Sequence, residues 1–176
     1  MANTGKIYEL EKIKKEWVGR EAEKVYGKYP VEYEPIRRHC QMVNNTNPLF
    51  LDEEYAKRGK YGSVVCPPTA IPILSIPGRL APTRKPRIAA IDMGLPLVGS
   101  GFTNLSRELE FFKFVRVGDR LSSRTRIADL YQKPTRLDPE SLWIVSEDII
   151  ENQKDEVVCI VRNTLLNYRI DDEMHK

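Results

Sequence analysis

Four stretches of β-forming residues follow one another in the last third of this chain, and they restrict its fold more than any other feature. Leu105 to Phe112 carries β-formers, and Leu121 to Leu130 alternates small or apolar residues with charged ones. Leu142 to Ile150 is apolar-rich, and Val157 to Tyr168 runs through Val-Cys-Ile-Val into Leu-Leu-Asn-Tyr. Turn chemistry separates them: Gly118-Asp119, a polar loop from Lys133 to Glu140 holding Pro134 and Pro139, and Asn152-Gln153-Lys154-Asp155. Consecutive hairpins predict an antiparallel sheet. Helical patterns precede it, so the expected class is α+β.

Ile7, Leu10, Ile13, Lys14 and Trp17 recur at helical spacing and predict a short amphipathic helix that docks on the domain as an appendage. Further on, Pro35 suits a first helical position, and Ile36, Cys40 and Val43 follow at i, i+4 and i+7. This second helix ends near Asn44-Asn45 and covers one face of the sheet with its apolar side. An Asn47-Pro48 corner leads to a third helix, capped by Asp52, with Glu53 and Glu54 in its first turn and Gly59 closing it. Seven prolines between Cys66 and Pro96 exclude a long helix or a central strand and predict one helical turn within a long excursion.

The 176 residues suit one domain: an appendage at 1–18, a core at 19–168 and a tail at 169–176. With 41% hydrophobic and 30% charged residues and a mean hydropathy of -0.45, the chain has the material for a packed interior and no membrane span. The charged opening lacks the apolar stretch of a signal peptide, which predicts a cytoplasmic protein. Cys40, Cys66 and Cys159 are odd in number and far apart, so reduced thiols are expected, with neither a disulfide framework nor a metal site. A net charge of +3 is small for a nucleic-acid binder. The basic residues are nevertheless concentrated: Tyr55 to Ile91 holds seven of them and no acid.

Val43-Asn44-Asn45-Thr46-Asn47-Pro48-Leu49-Phe50 resembles the hydratase motif G-D-x-N-P-[LIV]-H of the MaoC-like enoyl-CoA hydratases. The order of later features is similar too: Asp52-Glu53-Glu54-Tyr55-Ala56, Tyr61-Gly62, Val64-Val65-Cys66-Pro67-Pro68-Thr69 and Phe114-Val115-Arg116-Val117-Gly118-Asp119 resemble that family's N-terminal, FAS1-like dehydratase half. The resemblance implies a single hot-dog fold, an antiparallel sheet wrapped around a central helix. In active members an Asp and a His activate the water that adds to, or leaves, an acyl thioester. Here those positions hold Asn45 and Phe50, and neither an amide nor a phenyl ring is a base at neutral pH. Of the two histidines, His175 is next to the chain end and His39 belongs to the helix before the motif, where it reads as a structural or surface residue.

The resemblance therefore implies a non-catalytic, substrate-binding subunit of a heteromeric enoyl-CoA hydratase or 3-hydroxyacyl-thioester dehydratase. Its partner would be an Asp/His-bearing MaoC-like hot-dog subunit, in a heterodimer or heterotetramer. An acyl-CoA or acyl carrier protein thioester is the implied substrate, with no other cofactor, no nucleic acid and no membrane. Asn47 and Pro48 fix the corner and are candidate substrate contacts. Val65, Cys66, Pro67 and Pro68 read either as an apolar wall beside the acyl chain or as core. Arg84, Lys85 and Arg87 are candidates for the coenzyme A phosphates, against a solvated loop. Phe111 to Arg116, where aromatics interleave with basic residues, reads as a strand rather than a nucleic-acid platform. Two rival expectations are a homodimeric acyl-CoA binder without catalysis, and a thioester-active homo-oligomer using Asp52 or Glu53.

Overall fold

All four expected strands form, and a short fifth joins them. The computed structural model describes residues 8–75 and 92–174. Strands β1 (Val25–Tyr26), β2 (Gly101–Phe111), β3 (Ser122–Gln132), β4 (Leu142–Glu151) and β5 (Val157–Tyr168) make one antiparallel sheet in the order β1-β3-β4-β5-β2. The order corrects one expectation, because β2 and β3 form no hairpin and β2 pairs with the last strand.

The cause lies in the connection between β2 and β3. The chain leaves the sheet after Phe111, so the segment Phe112 to Arg116 does not continue the strand as its sequence suggested. Two earlier segments capture it. Cys66 N–H donates to the Val115 carbonyl at 2.7 Å, Val65 bridges Arg116, and at the turn Gly118 N–H donates to the Val31 carbonyl while Val31 N–H donates to that of Asp119, both at 2.8 Å. Gly118 has φ +95°, a backbone region that glycine enters without steric cost.

Cross-strand register sets what each face presents. Leu142, Ile144, Ser146, Asp148 and Ile150 of β4 share a face with Ile127 and Leu130 of β3 and with Cys159, Val161, Asn163 and Leu165 of β5. That face is apolar at both ends and polar in the middle. Helix α1 (Leu10–Trp17) packs at one end, where buried Trp17 joins Ile127, Leu130, Leu142, Ile144 and Leu165, and Leu10 and Ile13 lie against the same cluster. Helix α2 (Tyr33–Met42) packs at the other, where Ile36 and Cys40, both fully buried, join Val115, Ile150, Val158, Cys159 and Val161. Full burial of one aliphatic side chain is worth about 1.5–3 kcal/mol, so Ile36 is a main anchor of α2.

Two details of α2 differ from expectation. It starts at Tyr33, which puts Pro35 at the third helical position; the first four N–H groups of a helix lack internal partners, so proline is tolerated there too. It ends at Met42, one residue short of Val43, which is accordingly exposed rather than in the buried stripe.

The remaining contacts close the two ends of the sheet. Buried Asn167 accepts from Val98 N–H at 2.8 Å and donates to the carbonyls of Gly99 (2.7 Å) and Gly101 (3.0 Å), tying the approach to β2 onto β5. The approach is so close that a Cβ on Gly99 would collide with the Tyr168 carbonyl oxygen. The outer edge of β3 is covered by residues 19–27, through Gly19 N–H to Ile127, Ala22 N–H to Thr125 and Gly27 N–H to Leu121, each 2.8 Å. Among the described residues, no strand pairs with the outer edge of β2.

Candidate functional site

The hydratase-like motif falls where α2 stops. Asn44 has φ +53°, in the left-handed region that asparagine tolerates, and it ends the helix as a Schellman cap. Asn45 N–H donates to the Cys40 carbonyl at 2.8 Å and Asn44 N–H to that of Gln41 at 3.2 Å. The Asn45 side chain turns forward, its Oδ1 accepting from Asn47 N–H at 3.0 Å. Asn47 Oδ1 in turn accepts from Leu49 N–H at 3.0 Å and caps α3 (Pro48–Leu51), with Pro48 at its first position. Both amides are thus engaged by the local backbone.

Phe50 packs against the α2 core cluster, and the Tyr33 hydroxyl donates to the Leu51 carbonyl at 2.6 Å, pinning α3 beneath α2. Position 50 therefore presents carbon to the interior. The rival carboxylates are also engaged: Asp52 Oδ1 accepts from Tyr55 N–H at 2.9 Å as the cap of α4 (Glu53–Arg58), and the exposed Glu53 lies 3.8 Å from Lys57 Nζ.

His39, on α2, meets the Pro-Pro-Thr segment. Its Nε2 is 3.1 Å from Thr69 Oγ1, while Nδ1 is buried with no hydrogen-bond partner among the described residues. The contact gives His39 a partner, Thr69, that the sequence did not single out. Val65, Cys66 and Pro67 are buried; only Pro68, which opens the helical turn Pro68–Ala70 before α5 (Ile71–Leu74), is half-buried. Burial pushes the Cys66 thiol up to about 12, and it donates to the Pro67 carbonyl at 3.3 Å, so this sulfur is no thiolate at neutral pH. A surface depression of about 340 Å³ flanked by Phe112, Phe114, Arg116 and Gln153 includes none of the predicted site residues. Arg84, Lys85, Arg87 and His175 lie outside the described residues.

One feature of the helix-covered face was not legible in the sequence. Between the two apolar clusters runs a polar strip: Asp148 accepts from Thr125 Oγ1 at 2.6 Å and from Asn163 Nδ2 at 3.3 Å, beside buried Ser146. Arg107 of β2 lies opposite Asn163 on the same face. Only the strand register brings these residues together, since they come from four separate segments. Among the described residues no group of three His, Cys, Asp or Glu side chains is placed to hold a metal, and no helix is long and apolar enough to cross a membrane.

Comparison with known proteins agrees with this geometry. The family described as the FAS1-like dehydratase domain region matches residues 16–161. A probable enoyl-CoA hydratase alpha subunit from Thermomonospora curvata is 27% identical over 167 residues, covering 92% of this chain and 52% of the relative, so the chain spans about half of that protein. Among solved structures, a chain of the ChsH1-ChsH2 complex from Mycobacterium tuberculosis superposes with a TM-score of 0.72 at 18% identity, covering 92% of this chain and 95% of that one. The MaoC-like dehydratase from Rhodospirillum rubrum superposes with a TM-score of 0.60 at 22% identity, covering 86% and 92%. The likeness to these solved structures is one of fold: the five-stranded sheet with α2 across its face is the hot-dog arrangement.

Proposed function

Because the chain belongs to the FAS1-like dehydratase domain family, within the MaoC-like hot-dog proteins, we propose that it is the substrate-holding subunit of a two-chain enoyl-thioester hydratase or dehydratase. Its catalytic Asp and His come from a second hot-dog chain. The observation that carries this reading is the state of positions 45 and 50. Asn45 is hydrogen-bonded to its own turn and Phe50 packs against the core cluster, so these positions supply neither the base nor the acid that the hydration step needs.

Two further features support it. The β2 edge is eleven residues long, with Leu105, Leu109 and Phe111 about two-fifths exposed, whereas the opposite edge is covered by the chain's own residues 19–27. A long unpaired edge that leaves these apolar side chains exposed calls for a paired strand. The relative from Thermomonospora is named an alpha subunit, and the Mycobacterium neighbour belongs to a two-component complex. In this reading the thioester lies where the α2–α3 corner meets the partner, with Asn47, Pro48 and Pro68 at its border and coenzyme A or an acyl carrier protein as the carrier. The three free, buried cysteines suit a reducing compartment such as the cytoplasm.

The test is isolation of the tagged chain from its source cell. A hot-dog subunit bearing G-D-x-N-P-[LIV]-H is expected in equal amount, and the pair is expected to remove enoyl-thioester absorbance while the pure chain stays at background. Recovery of the chain with only itself, binding acyl-CoA without turnover, would overturn the two-chain reading in favour of a homodimeric binder. A companion variant, Asn45→Asp with Phe50→His, is expected to remain at background as a pure chain and to lose about 1–3 kcal/mol of stability, because the imidazole replaces packed carbon. Turnover by that variant alone would mean the site needs no second subunit.

A further inference from the structure

The outer edge of β2 carries a charge pattern that its own copy cannot match. On the face opposite the helices, cross-strand neighbours alternate in sign over four strands: Arg126 of β3, Glu147 of β4, Arg162 of β5 and Glu108 of β2. Arg162 is held by Glu147, with Nε and Nη2 at 3.1 and 2.7 Å from Oε1, and reaches Glu108 only at 3.7 Å. Glu110 lies two residues further along the same face, opposite Ile160. Two guanidinium groups therefore face three carboxylates, and the surplus negative charge sits at the open edge. Between Glu108 and Glu110 is a notch of about 120 Å³ bordered by Ile160 and Arg162.

A two-fold axis that continues the sheet pairs β2 with a second β2 antiparallel and keeps each residue on its own face. Centred on Arg107, Glu108 or Glu110, the register sets that residue against itself; centred on Leu109, it sets Glu108 against Glu110 twice. Like charges directly opposite are destabilising in antiparallel pairs. Registers centred nearer the start of the strand meet the irregularity between Asn104 and Ser106, where the pleat changes face, and one centred on Phe111 runs past the end of β2.

We propose that Glu108 and Glu110 act as a selection device at this edge. They reject a second copy of the chain and accept a different strand, one with lysine or arginine opposite the two glutamates and apolar side chains opposite Leu109 and Phe111 on the helix-covered face. The inference rests on the two-chain reading and supplies the chemistry of the partner's edge. A basic side chain in the notch completes the alternation across the sheet, and the apolar residues cover the exposed Leu109 and Phe111.

Sedimentation equilibrium of the pure chain tests it without any partner. Wild-type self-association is expected to be weak and to strengthen with salt, because salt screens repulsion. Glu110→Lys is expected to tighten it about tenfold at low salt, since in the Leu109-centred register each introduced lysine faces Glu108 of the other copy, and salt should now weaken it. Glu110→Gln, which removes charge without reversing it, should fall between. A wild-type dimer that tightens as salt is lowered, or a Glu110→Lys chain no tighter than wild type, would overturn the inference. Against the hot-dog subunit recovered with the tagged chain, Glu108→Gln with Glu110→Gln is expected to weaken binding about tenfold at low salt; unchanged affinity would also overturn it. Failure of the two-chain reading is a separate outcome, since it is decided by whether any such subunit co-purifies.

Discussion

An Arg169→Ala chain is expected to lose about 3–5 kcal/mol of folding stability at neutral pH, because the substitution strands a buried carboxylate. Asp138 is fully buried, and Arg169 meets it with two guanidinium bonds, Nε to Oδ2 at 2.9 Å and Nη2 to Oδ1 at 2.7 Å. The backbone N–H groups of Arg169 (2.8 Å) and Glu140 (2.9 Å) complete its shell. Burial alone pushes this carboxyl up, but the Arg169 guanidinium and the two N–H groups outweigh it and hold it at about 2. A depressed carboxylate contributes stability that is present above its ordinary value near 4 and is lost as pH falls toward 2, here about 2 kcal/mol. In Arg169→Ala the carboxyl loses its main stabiliser and protonates at higher pH. The gap between wild type and variant, measured by urea unfolding, should therefore narrow as pH drops from 5 to about 2. A gap constant over that range would mean that Arg169 contributes packing rather than charge.

That pair joins the loop before β4 to the residue after β5, and it marks where sequence reasoning stopped. The four long strands were legible because each is flanked by Gly, Pro or Asn chemistry and is long enough for its pattern to register. Their order was not. It depends on Val31, Val65 and Cys66 capturing the segment after β2, an outcome of backbone pairing that no local pattern announces. The β1 strand escaped notice because Gly19 to Gly27 is charged and irregular, and it pairs only because it follows an exposed edge of β3.

The candidate site was legible in the same uneven way. Asn47 as a cap and Asp52 as a cap follow from their side-chain oxygens and from the helices they precede, and both act so. The left-handed turn at Asn44 was not foreseen, although asparagine is among the few residues that enter it readily. Residues 65–67 carry no sign in the sequence of whether an apolar stretch faces a ligand or the interior; in the structure all three are buried, Cys66 within the α2 cluster. The polar strip of Thr125, Asp148 and Asn163 depends on register, because a shift of one residue would turn each of those side chains to the opposite face.

Trp17→Ala is expected to cost about 3–5 kcal/mol, which would make α1 part of the core rather than an attachment to it. An amphipathic helix near the start of a chain reads as an appendage because its contacts are invisible in sequence. Yet Trp17 is 5% exposed and shares a cluster with residues from β3, β4 and β5, and the Arg20 guanidinium lies 4.3 Å over its ring. α2 reaches only one end of the helix-covered face, so without α1 the other end, including Leu130, Ile144 and Leu165, would keep only the partial cover of Met93, Leu95, Leu97 and Val98 among the described residues. Since those three residues sit on the strands that every other element leans on, the loss should be global. Unfolding in denaturant should remain one cooperative transition with a lower midpoint and an unchanged slope. Lys12→Ala, on the exposed side of the same helix, should stay within about 0.5 kcal/mol of wild type. A Trp17→Ala chain as stable as Lys12→Ala, or one that unfolds in two steps, would return α1 to the status of an appendage.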